Sequence, residues 1–173
     1  MKTGQVLAID PGTTASGVAL IQSDSYRTIW KGKVANTELI GVSFGNILKE
    51  REFENMKVVI EMIPSYGTGN AAGKDVYETC IWIGRFKQWF IERSTTVDTI
   101  TRTSVKQHLC GSTRAKDPNV VQALVDRFAP LSTNYGKGTK KEPGWFYGFK
   151  ADIWQAYALG VTYLDSLHDN QSK

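Results

Sequence analysis

Three carboxylates lie at positions of the sequence where burial in the fold would make an unpaired charge unfavourable. Asp10 ends the apolar run 6–9, Glu61 ends the apolar run 58–60, and Asp152 opens the last amphipathic segment. An ion at the tip of a buried strand loses its hydration, so it needs a cation, a metal ion or a polar cleft. Oxygen ligands with no His or Cys beside them favour Mg²⁺ or Mn²⁺. We therefore expect a divalent-metal site at these three acids.

This ligand set suits the hydrolysis of phosphodiesters. Two divalent ions about 3.5–4 Å apart can hold both the attacking and the leaving oxygen of a phosphoryl group. In that role the three acids are metal ligands, and a water molecule activated by the metal is the nucleophile. A single strand-end Asp can also form a turn, and Asp152 could simply interact with the dipole of its helix. The repeated pattern at two strand ends favours the metal site over these structural roles.

The elements that must position these acids follow from hydrophobic periodicity. Strands are predicted at 4–10, 15–23, 27–34, 56–62 and 97–102. Helices are predicted at 37–53 with Asn36 as the cap, at 75–93, from Ser104 to Gly111, from the Asp117-Pro118 pair onward, and at 151–167. This order predicts an α/β fold, in which helices flank a five-stranded mixed sheet made of a three-strand antiparallel meander plus two parallel strands.

The predicted sheet places two of the acids side by side. Neighbouring strands lie about 4.8 Å apart. If the first and fourth strands are parallel neighbours, Asp10 and Glu61 project into one cleft. Carboxylates that close repel one another, and a divalent cation removes the repulsion.

Length and composition bound the remaining possibilities. The 173 residues are enough for one core, so we expect residues 1–173 to form a single domain. A net charge of +4 favours a polyanionic partner such as nucleic acid. No apolar run is long enough to span a membrane, and Asp10 and Pro11 interrupt the stretch that a signal peptide would need. We expect a cytoplasmic protein in which Cys80 and Cys110 are reduced thiols.

Four short motifs occur in order and span most of the chain. They are Ile9-Asp10-Pro11-Gly12 followed by Ser16-Gly17; Val58-Val59-Ile60-Glu61; Val105-Lys106-Gln107 followed by Gly111, Ala115 and Val121-Gln122; and Ala151-Asp152 followed by Ala156, Ala158 and Leu159. This ordered set resembles the RuvC-type Holliday junction resolvases of the RNase H-like nuclease superfamily. The small size and the loops at 64–74 and 132–149 are similar to those of phage-borne members.

The resemblance implies a crossover junction endodeoxyribonuclease of DNA recombination and repair. It implies a homodimer that acts on four-way junctions with two Mg²⁺ or Mn²⁺ ions per active site, for a phage-borne member in the cytoplasm of an infected cell. By the motif match, Asp10, Glu61 and Asp152 hold the metals, and Lys106 lies near the scissile phosphate. The family usually carries a second acid one turn after the first in the closing helix, where this chain has Gln155. The amide oxygen can ligate a metal ion but supplies no charge.

Basic and aromatic residues in three places are candidates for DNA contacts. Lys137, Lys140 and Lys141 lie beside Trp145, Phe146 and Tyr147 in the loop 132–149, which we expect to be exposed; Arg102, Lys106, Arg114 and Lys116 form a second group. Such residues suit contacts to a nucleic-acid backbone, although a basic loop over a small apolar core has the same composition. The resemblance suggests that Tyr66 enters an opened junction centre, with packing inside its loop as the alternative.

The helix predicted at 75–93 is more apolar than one sheet face requires. It carries aromatic and aliphatic residues on more than one side. We expect either a subunit interface or a helix that packs on two sides within one domain.

Three other functions fit part of the sequence. The turn 10–14 also resembles the phosphate-binding turn of actin-like ATPases and sugar kinases, but those proteins need a second such domain. A related RNase H-like nuclease acting on flaps or RNA–DNA hybrids would use the same acids. A catalytically inactive module that binds branched DNA would be consistent with Gln155.

Overall fold

The computed structural model, which describes residues 4–47, 56–63, 73–93 and 95–171, is built on one five-stranded sheet. The strands are β1 (Gln5–Asp10), β2 (Ala15–Gln22), β3 (Thr28–Ala35), β4 (Met56–Met62) and β5 (Val97–Thr101). Their order is β3-β2-β1-β4-β5, with antiparallel β1–β2 and β2–β3 pairs and parallel β1–β4 and β4–β5 pairs. The predicted α/β fold with a five-stranded mixed sheet is confirmed.

The central strands are buried on both faces. Leu7 and Ile9 of β1 belong to one apolar cluster, and Val6 and Ala8 belong to another on the opposite face. A strand covered on both sides reads as a continuous apolar run rather than an alternating one. This explains why β1 and β4 are uninterrupted runs that end only at a carboxylate.

Helices cover both faces of the sheet. Within the described residues they are α1 (Asn36–Glu38), a π-helical turn (Leu39–Ser43), α2 (Phe44–Ile47), α3 (Lys74–Ile91), α4 (Arg102–Cys110), α5 (Asp117–Phe128), a 3₁₀ turn (Asn134–Gly136) and α6 (Ala151–Gln171). α4, α5 and α6 share one cluster with the sheet, and α3 shares the other with Leu39 and Phe44. A Cβ atom at Gly160 would collide with Ile21, so α6 lies close against the sheet.

The starts of three helices differ from the prediction. The capping hydroxyl of α4 belongs to Thr101, which accepts a hydrogen bond from the Ser104 backbone N–H, and Ser104 itself lies inside the helix. Asp117 is the first residue of α5 rather than its cap. Asn36 begins α1, and its buried side chain bonds to the β1–β2 hairpin instead of capping. Beyond Ile47, the predicted helix 37–53 lies outside the described residues.

The loop predicted to be exposed at 132–149 is in part a core element. Phe146 and Phe149 are fully buried and pack against Trp154 and Tyr157 of α6. The Trp145 ring stacks on Phe128, and its indole N–H donates to the Tyr157 hydroxyl. The apolar-core alternative therefore applies to these aromatic residues, because their rings fill space between α5 and α6.

The lengths of the helices and the state of the two cysteines are also defined. No helix in the described ranges is both long enough and apolar enough to cross a membrane. Cys80 and Cys110 are free thiols, the first exposed and the second half-buried.

Candidate active site

The three predicted acids lie at one end of the sheet, beside the first turn of α6. Ile9 pairs with Ile60 in the parallel ladder, so Asp10 and Glu61 follow at the same level of β1 and β4. Asp10 also pairs with Gly17 across β1–β2. A Cβ atom at Gly17 would collide with the backbone carbonyl of Asp152. The missing side chain at position 17 therefore lets the start of α6 approach the strand next to Asp10.

Burial and mutual repulsion disfavour the charged forms of the two strand-end acids. Burial, followed by the negative charge of Glu61, raises the pKa of Asp10 well above its ordinary range, and Arg102 only partly opposes this. Asp152 and Asp117 also raise the pKa of Asp10. Burial likewise raises the pKa of Glu61 against the opposing charge of Arg102. Asp10 therefore interacts electrostatically with both of the other predicted ligands.

Cations from α4 and β3 neutralise part of this negative charge. The Arg102 guanidinium lies 3.3 Å from Glu61 Oε2 and 2.9 Å from Asp117 Oδ1. Lys106 Nζ lies 3.6 Å from the same Asp117 oxygen. On the other side of the site, Lys33 Nζ lies 2.5 Å from Asp152 Oδ2. Each of these acids is thus already in contact with a positive group.

Sequence reasoning missed two charged residues of this site, Lys33 and Asp117. Gly17 pairs with Lys33 across β2–β3 and with Asp10 across β1–β2, so one row of the meander contains all three. The strand register was therefore an available signal for Lys33. Asp117 carried only the signature of a helix start, because its approach to Arg102 depends on how α4 and α5 pack.

The donor set fits a divalent cation, although the acids do not surround one common point. Within the ranges that the structure describes, no group of three or more His, Cys, Asp or Glu side chains has the arrangement of a metal site. Glu61 is turned towards Arg102, and Asp152 towards Lys33. Buried carboxylates that repel one another are nevertheless the chemistry that a divalent ion neutralises. Arg102 and Lys33 would therefore compete with such an ion for one oxygen of each carboxylate.

A cavity of about 490 Å³ opens beside the acids. Asp10, Asp152 and Gln155 line it, so Gln155 shares the cavity with two of the predicted ligands. Arg102, Asp117, Tyr135, Lys137 and Trp154 also line it. The cavity therefore brings two of the three predicted ligands, two cations and two aromatic residues to one space.

A buried hydrogen-bond network holds the turn that follows Asp10. The Ser16 hydroxyl donates to Asn36 Oδ1 at 2.6 Å, and Asn36 Nδ2 donates to the Gly12 carbonyl at 2.8 Å. The Asn36 backbone N–H donates to the Thr14 carbonyl. Because both side chains are fully buried, the network fixes the turn and the end of β1.

The residues predicted to contact DNA occupy different environments. Arg102, Lys106 and Lys137 lie at the acids or in the adjacent cavity. The remaining lysines and arginine of the two groups are exposed: Arg114, Lys116, Lys140 and Lys141. Tyr66 lies outside the described residues.

Comparisons with known proteins identify the fold. No protein-family model matches the sequence, and no curated protein matches it. Among solved structures, a Thermus thermophilus RuvC structure matches with a TM-score of 0.65 at 20% identity, covering 95% of this chain and 96% of that one. T. thermophilus RuvC in complex with Holliday junction substrate matches with a TM-score of 0.67 at 19% identity, covering 96% of both chains. The resemblance predicted from the four motifs is therefore confirmed, and the shared feature is the fold.

Proposed function

We propose that this chain, whose fold is that of RuvC, is a divalent-metal-dependent endonuclease that cuts phosphodiesters in branched DNA and resolves Holliday junctions. We also propose that residues 1–173 form one nuclease domain. A fold alone does not define an activity. The observation that supports the proposal is the position of Asp10 and Glu61 at the ends of paired parallel strands, with the start of α6 and its Asp152 close against the strand next to Asp10.

The acids of the site would hold Mg²⁺ or Mn²⁺, with Asp10, Glu61 and Asp152 as charged ligands and Gln155 as a neutral one. Bound divalent ions would activate water and stabilise negative charge on the leaving oxygen. The pKa of Asp10 is raised chiefly by burial and then by its acidic neighbours, so proton release from this residue is favoured when positive charge arrives.

The basic residues of α4 would orient the phosphate. Arg102 and Lys106 lie on the Glu61 side of the site, and Asp117 holds both of them. When Arg102 leaves Glu61, it can remain paired with Asp117 and present its other donors to non-bridging phosphate oxygens. Lys106 would contact the same phosphate as a point charge.

Cleavage of synthetic DNA tests the proposed activity. The protein is incubated with a four-way junction, a flap and an RNA–DNA hybrid, each in Mg²⁺ and in Mn²⁺. We expect paired nicks in opposite strands of the junction, and we expect Asp10→Asn to abolish cleavage while junction binding persists. Preferred cleavage of the hybrid or the flap would favour the related nuclease. Junction binding without cleavage in either metal would favour the inactive module that Gln155 suggests.

A homodimer belongs to the same proposal, because resolution requires two cuts. The outer side of α3 exposes Tyr77 by 60%, Ile81 by 59% and Ile91 by 54%, while Ile83 and Phe86 fill the core below. A Cβ atom at Gly84 would meet no atom within 4 Å, so a second helix can approach closely there. We propose that two copies pair through this side of α3. Ile81→Glu should shift sedimentation to the monomer, and an unchanged dimer would contradict this interface.

A further inference from the structure

The segment between α5 and α6 holds an aromatic residue in a conformation that proteins seldom use. The φ angles of Leu131, Asn134 and Tyr135 are 61°, 51° and 55°, in the left-handed region that favours glycine. Such strain persists where surrounding structure enforces it, and it is common at binding sites. Phe146, a buried residue of the same segment, packs next to this turn at Gly136.

Hydrogen bonds on either side fix the backbone at Tyr135. The Gly136 backbone N–H donates to Thr133 O at 3.0 Å, and Gly136 O accepts from the Phe146 N–H at 3.0 Å. Gly136 is buried with a φ of 67°, and a Cβ atom there would clash with Ala129 at 2.6 Å. The backbone at Gly136 is therefore fixed, and this restricts the backbone of the neighbouring Tyr135.

Tyr135 lines the cavity and is not part of the apolar core. Its side chain is 55% exposed, yet it lines the same space as Asp10 and Asp152. Among the described residues, its ring packs on no other aromatic ring and its hydroxyl makes no hydrogen bond. Lys137, two residues further on, lines this space as well. A flat ring and a cation therefore share this cavity with Asp10 and Asp152, and Glu61 is not among its lining residues.

We propose that Tyr135 stacks on the base of a nucleotide next to the phosphate that is cut, while Lys137 contacts the neighbouring phosphate. This inference rests on the proposed nuclease function. A cavity of about 490 Å³ falls in the range of sites for small ligands, about 300–1,000 Å³, and has room for one unstacked nucleotide. Aromatic rings stack on any base face, and lysines bind the backbone without reading sequence. The position of Tyr135 thus selects an unpaired or distorted nucleotide at the cleavage site.

The test compares Tyr135→Ala with Tyr135→Phe on a four-way junction that carries 2-aminopurine at single positions around the cut. Base stacking on one aromatic ring predicts a KM for cleavage roughly 10-fold higher for Tyr135→Ala, with wild-type behaviour for Tyr135→Phe. The fluorescence of 2-aminopurine should be quenched at one position next to the cut by wild type and Tyr135→Phe, and not by Tyr135→Ala. Leu131→Ala is the matched control, because Leu131 shares the left-handed conformation but does not line the cavity.

Failure of this inference is distinguishable from failure of the nuclease function. Position-specific quenching is also measured with Asp10→Asn protein, so that it does not depend on cleavage. Equal KM values and equal quenching for wild type and Tyr135→Ala would overturn the stacking role while leaving cleavage intact. If Tyr135→Ala does not fold by circular dichroism, Tyr135→Leu replaces it, since leucine keeps the bulk but lacks the aromatic face. An equal defect in Leu131→Ala would assign the effect to the loop backbone and overturn the proposal.

Discussion

At the scale of single residues, the candidate site is a set of charges that oppose one another. Asp10 is half-buried beside acidic groups, and the cations Arg102 and Lys33 are paired with Glu61 and Asp152 rather than with Asp10. A folded protein that keeps such repulsion is less stable than it could be, and functional sites are where this cost is retained. Substitution and pH should therefore change the stability of the protein through this repulsion.

Asp10→Asn should stabilise the metal-free protein at pH 8. The pKa of Asp10 is higher in the folded protein than in the unfolded chain, so the folded state binds more protons and stability falls as the pH rises above about 4. The amide removes this loss. Urea unfolding in EDTA should therefore give Asp10→Asn a higher free energy of unfolding at pH 8 and nearly none of that advantage at pH 4.

Mn²⁺ should affect the thermal stability of wild type and of Asp10→Asn to different extents. If the ion neutralises the acids, it raises the melting temperature of wild type more than that of Asp10→Asn, because binding to the folded state stabilises it. An equal rise in both proteins would show that the ion binds elsewhere.

Asp117→Asn should weaken Mn²⁺ binding although Asp117 is not a predicted ligand. Without this partner, Arg102 pairs only with Glu61 and competes with the ion for that carboxylate. Partly exposed ion pairs contribute up to about 1 kcal/mol, so we expect a roughly 5-fold lower affinity by calorimetry. Asp126→Asn is the control, because Asp126 is an exposed acid of the same helix that bonds to Gln122. Equal losses in both variants would indicate a general charge effect.

At the scale of elements, the contact between β2 and the start of α6 sets the geometry of the site. Gly17 stands between Asp10 on the neighbouring strand and Asp152 on the helix. Any side chain there must push α6 away from the sheet, which would separate two of the predicted ligands.

Gly17→Ala should therefore lower stability and cleavage together. Overpacking of this kind typically costs about 1–3 kcal/mol. Cleavage should fall further than stability explains, when both are measured at a temperature where the variant is fully folded. Gly45→Ala is the matched control, since a Cβ atom at Gly45 meets nothing within 4 Å. Wild-type cleavage by Gly17→Ala would contradict the role assigned to this contact.

The sequence predicts the elements whose signals are local and misses the contacts that depend on packing. The runs that end at Asp10 and Glu61 reveal their strands, because burial on both faces demands uninterrupted apolar residues. The sequence does not distinguish Thr101 from Ser104 as the N-cap of α4, since both carry hydroxyls. The direction in which β5 enters the helix determines which of them caps it. Asparagine is a common N-cap residue, but the side chain of Asn36 instead bonds to the buried Ser16, twenty residues away in the sequence.

The loop 132–149 is a second example of burial that depends on tertiary packing and not on the local sequence. Its glycines and lysines indicate exposure, and several of its residues are exposed. Phe146 and Phe149 are buried because they pack against Trp154 and Tyr157 of α6, and no local sequence pattern indicates such tertiary packing.

At the scale of the whole molecule, one carboxylate connects segments far apart in the chain. Asp165 of α6 accepts hydrogen bonds from Arg127 at 2.7 and 2.9 Å, from His108 at 2.7 Å and from Tyr26 at 2.7 Å. The β2–β3 hairpin, α4, α5 and α6 therefore meet at one side chain. Burial alone would raise the pKa of Asp165, but the hydrogen bonds from Arg127, His108 and Tyr26 outweigh it and lower the pKa to about 2.

Asp165→Asn should make the protein less stable at pH 7 and less sensitive to acid. Because the pKa is lower in the folded state, the stabilisation is complete above the ordinary pKa of about 4 and is lost as the pH falls towards 2. We expect a loss of roughly 1–2 kcal/mol at pH 7 and a smaller difference at pH 2.5 by urea unfolding. Asp169→Asn, an exposed acid of the same helix, should match wild type at both values. A constant difference across this range would contradict the assignment.

Because Asp10 pairs with Gly17, the turn 11–14 has to keep its length for the register of β1 and β2 to be preserved. One inserted residue would shift the hairpin by one position and reverse the face of every β2 side chain. Ser16 or Val18 would then stand where α6 needs an empty position. Insertions and deletions between β1 and β2 should therefore be selected against wherever the approach of α6 to Gly17 is needed.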